Sequence, residues 1–317
     1  TTGAMDNAAS MIVSGGTATV TDAADIQGVA EYDSGASSYT ITDSADAVLT
    51  ASNESTILND GVSGVVVTDA TGAGYVDASD GEALSDLEGL LQTATNDSVA
   101  DIEFRVEDDA AAIAAVLNGD RDALDGANDL DVTGGTTTVA GAADIQSSGA
   151  YDAANSDYTI TDTAGAILGD TATAIDDGVT TINVDGPVGA GVGVQLGVLE
   201  DASFETGYSA DINFNVVDDA NAITAALSGD TTDAMDNAAS MIVSGGTATV
   251  AEAADIQGVV GYDSGASSYV VSDSFGAIQN DAYSDFAIWD SGVSQVNLNE
   301  VVDATEGAWL SAYEDVK

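Results

Sequence analysis

Tyr39-Thr40-Ile41-Thr42-Asp43-Ser44-Ala45-Asp46-Ala47-Val48-Leu49 reads as a strand, a turn and the start of a helix. Tyr39 to Thr42 are aromatic and β-branched residues that suit a pleated surface, and Asp43 or Ser44 can accept a backbone N–H where a helix opens. The phrase recurs as Tyr158-Thr159-Ile160-Thr161-Asp162-Thr163-Ala164-Gly165-Ala166-Ile167-Leu168. It recurs again as Tyr269-Val270-Val271-Ser272-Asp273-Ser274-Phe275-Gly276-Ala277-Ile278. A unit that alternates strand with helix and repeats along the chain predicts parallel strands joined by helical crossovers.

Two periods are nested. The long one is a super-repeat of about 110 to 120 residues, giving copies at 1–120, 121–230 and a shortened 231–317, in one continuous array. Residues 1–40 and 231–270 differ at only six positions, which points to recent duplication and to a longer parent chain. The short period appears on marking the centre of each β-rich run: Ile12, Ile41, Val66, Phe104, Asp131, Ile160, Asn183, Phe214, Ile242, Val271 and Val296. Most runs precede an Ala-rich stretch such as Asp22 to Gly28, Ala83 to Gln92, Asp108 to Leu117 or Asp218 to Leu227. The expected fold is therefore an α/β repeat, a solenoid of parallel strands and short helices with about eleven coils of about 28 residues. Gly15-Gly16, Gly134-Gly135 and Gly245-Gly246 recur in register and read as turns. Gly119, Gly169 and Gly229, each followed by Asp, read as left-handed helix ends. Pro187, the only proline, sits in Asp185 to Gly193 and reads as a loop.

Composition narrows the chemistry. The 317 residues are 44% hydrophobic, enough for a large core, yet carry 55 acidic against three basic residues, a net charge of −52. Such a surface repels nucleic acid and anionic membranes and attracts cations. No apolar run reaches the roughly 18 residues of a membrane span, so membrane insertion is not expected. With no Cys and no His, disulfides, thiolate or imidazole metal sites and the usual general base are all missing. Ser and Thr nucleophiles have no partner to activate them, the only lysine is the last residue, and no P-loop exists. The chain is not expected to be an enzyme.

What remains is oxygen chemistry. The Asp at each strand-to-helix junction (Asp43, Asp69, Asp108, Asp162, Asp218, Asp273) reads first as a helix cap. Doubled or clustered acids are the better Ca²⁺ candidates, because a calcium site needs several converging oxygens. These are Asp108-Asp109, Asp176-Asp177, Asp218-Asp219 and the group Asn128, Asp129 and Asp131. Six tyrosines stand at repeat positions: Tyr32, Tyr39, Tyr151, Tyr158, Tyr262 and Tyr269. Exposed, they would make a glycan-binding ladder; Tyr39 and its equivalents are expected to be half-buried. Trp289 and Trp309 occur only in the last, divergent coils, where an end cap is expected.

Thr17-Ala18-Thr19-Val20, leading to Ala23-Ala24-Asp25-Ile26, and the phrase Tyr39 to Ala45 resemble units of very large, repetitive, secreted bacterial surface proteins. These include S-layer-like and adhesin-like exoproteins of marine cyanobacteria and proteobacteria. The resemblance implies secretion, a cell-surface location and a mechanical or barrier role through association with copies of itself. The calcium-binding nonapeptide GGxGxDxxx that such families often carry is absent here. Two alternatives share the composition: an adhesin-type module binding cations or glycans, and a halophile surface protein.

Overall fold

The structure, a computed structural model, describes residues 9–68, 74–95, 101–118, 120, 122–206, 210–230, 233–284 and 287–314, with the side chains of 94–95, 204–206 and 313–314 left aside. Asp69, Gly119 and the opening residues 1–8 lie outside this set. The chain is an α/β protein whose described strand pairings are all parallel. It divides into two compact units, Thr1–Ile160 with Asp176–Val179, and Thr161–Ile175 with Thr180–Lys317.

In the first unit the strands are β1 (Ser14–Ala18), β2 (Ser38–Asp43), β3 (Val62–Val67), β4 (Tyr75–Val76), β5 (Asp101–Glu103), β6 (Arg105–Asp108), β7 (Leu130–Thr137) and β8 (Asp157–Asp162). They are ordered β1-β2-β3-β5 and β4-β6-β7-β8. The second unit holds β9 (Val179–Val184), whose ladder to β10 (Asp211–Asn213) lies within it, and the sheet β11 (Asn215–Asp218), β12 (Ser240–Ala248), β13 (Ser268–Asp273) and β14 (Val293–Leu298), paired in that order. Among the described residues no helix is long and apolar enough to cross a membrane.

The opening phrase folds as its residues dictate. Tyr39 and Ile41 alternate inward on β2, and Ser44 caps the helix Ala45–Leu49 by accepting the Ala47 N–H. Tyr39, Tyr158 and Tyr269 are 2%, 1% and 1% exposed, so they are core residues rather than half-buried ones, and no glycan ladder exists at these positions. Each phenol accepts a hydrogen bond from a glutamine amide: Gln27 at 2.7 Å, Gln146 at 2.8 Å and Gln257 at 2.8 Å. A buried tyrosine needs such a partner.

The junction aspartates do not cap their own helices. Ser44, Asp109, Thr163, Asp219 and Ser274 do that. Instead the Oδ1 of Asp43, Asp108, Asp218 and Asp273 accepts the next residue's N–H at 2.7 to 2.9 Å. Their Oδ2 accepts the first N–H of the helix one strand earlier: Val20, Ala78, Ala190 and Val250, at 3.0 to 3.1 Å. One carboxylate thus ties the end of a strand to the start of the preceding helix, complementing its dipole. Asp108→Ala strands the Ala78 and Asp109 amides together, and is expected to cost about 1–3 kcal/mol. The exposed Asp177→Ala should cost nothing measurable, and equal urea midpoints for the two variants would contradict this role.

Three local expectations are corrected. The paired glycines are not turns but bulges inside β1, β7 and β12, where the register shifts between Ser14 and Thr17, Thr133 and Thr136, and Ser244 and Thr247. All six have φ between 76° and 102°, which only glycine adopts freely. Gly169 and Gly229 do end helices, but without a left-handed backbone; Asp170 and Asp230 follow and open the next helical turn by accepting the N–H groups of Thr173 and Ala234. The runs centred on Phe104 and Phe214 are not single strands. Each breaks at the buried Phe into two short strands that pair with different neighbours.

Candidate metal centre

The acids singled out by sequence divide into those already engaged by the backbone and those that converge. Asp109 and Asp219 are helix caps, accepting from Ala111 and Ala112, and from Ala222. Asp108 and Asp218 make the ties described above. Asn128 accepts the Phe104 N–H at 3.1 Å and donates its own to the Phe104 carbonyl at 2.9 Å, closing the backbone where the strand breaks. Asp176 accepts from the Tyr151 hydroxyl at 2.7 Å and from the Gly178 N–H at 3.2 Å, and Asp177 is exposed. None of these six acids joins a cluster of three carboxylates among the described residues.

Asp129 and Asp131 do converge, with a third acid, Asp152, that sequence reading did not select. One oxygen from each lies within 4.8 Å of the other two. Extended backbone places Asp129 and Asp131, two residues apart, on one face. Asp131 stands beside Glu107 of β6, and the parallel bridge between Leu130 and Tyr151 brings Asp152 alongside it. Asp152 also accepts from the Ala154 N–H at 3.0 Å and the Asn155 amide at 2.7 Å, which fixes its carboxylate.

Asp131 is the centre of the group. It is 7% exposed; its Oδ2 accepts from the Tyr75 hydroxyl at 3.0 Å, and its Oδ1 is buried without a partner. Burial pushes its carboxyl above the ordinary range; the Tyr75 bond opposes that, and the charges of Asp129, Asp152 and Glu107 add to it. Tyr75 pairs in register with Arg105, whose guanidinium lies 5.7 Å from the centre of the phenol ring. The donor set is all oxygen, three carboxylates with a phenol behind them, and suits a hard cation.

Comparison with protein-family models, with curated proteins and with solved structures finds no match to this chain.

Proposed function

We propose that the chain is a structural segment of an extracellular surface layer, filament or giant repetitive surface protein. In this reading its strand-and-helix units are coils of an α/β solenoid, and it works by stacking and by association with copies of itself. The observation that carries the reading is how the repeated polar residues are used. Junction aspartates, glutamine–tyrosine pairs and cap residues recur at matching positions, and each closes a bond between one element and the next. Repeating the same architecture coil after coil, with the row Tyr39, Tyr158 and Tyr269 buried, is what a mechanical or barrier array requires.

Association has a place to start. Among the described residues β1 is the outer strand of its sheet, four of its five residues are exposed, and Ile12 just before it is 54% exposed. An exposed parallel edge is a template for another strand. At β14, outermost among the described strands of its sheet in the second unit, the helix Ala304–Glu314 sets Trp309 edge-on to Phe275 at 5.5 Å and its indole N–H donates to the Tyr283 hydroxyl at 2.9 Å. That helix supports the reading of Trp309 as part of a cap.

Light scattering over a wide concentration range tests this. Mass should rise with concentration for the wild-type chain and stay at one chain for Ile12→Lys/Thr17→Lys, which places charge on exposed edge positions. A wild-type chain that stays monomeric in every salt condition would refute association through β1.

A further inference from the structure

We infer that Asp129, Asp131 and Asp152 form a specific site for a calcium-like divalent cation, present in one copy of the repeat and absent from the others. The inference goes beyond the structural role proposed above and stands whether or not the chain assembles.

The strand register aligns the copies without ambiguity. The bridge between Leu130 and Tyr151 has counterparts in Met11 with Tyr32 and Met241 with Tyr262. Asp131 therefore matches Ile12 and Ile242, Asp129 matches Ser10 and Ser240, and Asp152 matches Asp33 and Asp263. Two of the three carboxylates occur only here. The covering residue is local too, since the bridge of Val188 to Val216 and the pairing of Val76 with Val106 align Tyr75 with Pro187 and Arg105 with Asn215.

Burial runs against the polarity of these substitutions. Ile12 is 54% exposed and Ile242 is half-buried, yet the aspartate that replaces them is 7% exposed, sealed under the Tyr75 phenol. Packing alone would favour the opposite order, because taking an ionised carboxylate out of water costs several kcal/mol unless the charge is compensated. Arg105 is aligned over the Tyr75 ring and forms no ion pair with the three acids among the described residues. Asp131, with its Oδ1 partnerless and one of its oxygens within 4.8 Å of two further carboxylates, asks for a cation.

The ligand set selects its class. Three carboxylates binding through one or both oxygens supply about three to six of the six to eight oxygens that Ca²⁺ takes, and waters complete the shell through the half-exposed Asp129 and Asp152. With neither His nor Cys in the chain, softer metals have no preferred ligand.

Tb³⁺, an oxygen-seeking surrogate whose emission is excited through nearby tyrosine, is the probe. TbCl₃ is titrated at physiological ionic strength, so that diffuse attraction to the −52 surface is screened, and CaCl₂ is used to displace it. Asp131→Ile installs the residue of the aligned copies and keeps the fold, which circular dichroism verifies. The wild-type chain should give saturable emission, reversed by CaCl₂, with affinity lowered about tenfold or more in Asp131→Ile. CaCl₂ should raise the melting temperature of the wild type more than that of the variant. Equal Tb³⁺ affinity in the two chains, or no saturable component in the wild type, would overturn the site.

Discussion

Alanine at Gly178 is expected to destabilise the first unit by about 2–3 kcal/mol, the cost of overpacking a closed site. A Cβ there would collide with the Tyr151 hydroxyl and sit 3.0 Å from Ser156 Cβ and 3.2 Å from Tyr158 Cε1. None of the three can yield cheaply. The Tyr151 hydroxyl donates to Asp176 at 2.7 Å, Ser156 accepts the Val132 N–H and donates to the Asp152 carbonyl, and Tyr158 is 1% exposed. The same arrangement stands at Gly61 against Tyr32 and Ser37, and at Gly292 against Tyr262 and Ser267. Gly149→Ala is the control, because nothing lies within 4 Å of its added methyl. Removing the hydroxyl with Tyr151→Phe should recover part of the loss, a coupling of about 1 kcal/mol in the double-mutant cycle. Urea midpoints that place Gly178→Ala beside Gly149→Ala would show that the tyrosine does not fill this space.

The second large effect is on pH. Glu88, on the helix Ala78–Thr95, and Glu200, on the helix Ala190–Thr206, stand at matching positions, and the Oε2 of each is buried without a partner. Burial pushes each carboxyl from 4.5 to about 7, and the neighbouring charges of Asp101 and Asp211 add to the shift. The folded chain then holds protons that the unfolded chain has already released between pH 4.5 and about 7. Stability falls as pH rises through that window and is level above it. Screening through the half-buried Glu88 and relaxation around the buried Glu200 leave about 1 kcal/mol for each. Glu88→Gln/Glu200→Gln should match the wild type at pH 5 and melt higher at pH 8, by about 2–4 °C for each kcal/mol recovered. Parallel melting curves for the two proteins across this range would contradict the assignment.

Sequence carried the strand-and-helix alternation well, and its limits are physical. Tyr39 to Thr42 specify β2 and Ser44 its following cap because both signals are local. The breaks at Phe104 and Phe214 are not local: the residues on either side have the same strand preference, and only their different neighbours separate them. Gly-Gly is a turn signal in isolation, whereas Gly134-Gly135 sits in a continuing strand, at a place where a Cβ on Gly135 would lie 2.9 Å from the Ala110 nitrogen. The stretch around Pro187 reads as a loop, yet the helix Ala190–Thr206 begins inside it. Its glycines permit close approach: a Cβ on Gly193 would lie 2.7 Å from Val216, and one on Gly197 would meet the Ala234 backbone.

The candidate site was legible to the same extent. Asp129 and Asp131 stand out on one strand face, but Asp152 joins them only through parallel register, which no local pattern encodes. Doubled acids at Asp108-Asp109 and Asp218-Asp219 look alike in sequence to a metal site. The backbone claims them because strand ends and helix starts leave N–H groups that need acceptors.

The most direct measurement on the proposed structural role is negative-stain imaging of the concentrated purified chain, with CaCl₂ and with a chelator, beside Ile12→Lys/Thr17→Lys. Filaments or sheets in the wild-type chain, lost in the edge variant, are the predicted result. Dispersed single particles for both proteins under every condition would contradict a self-assembling structural role.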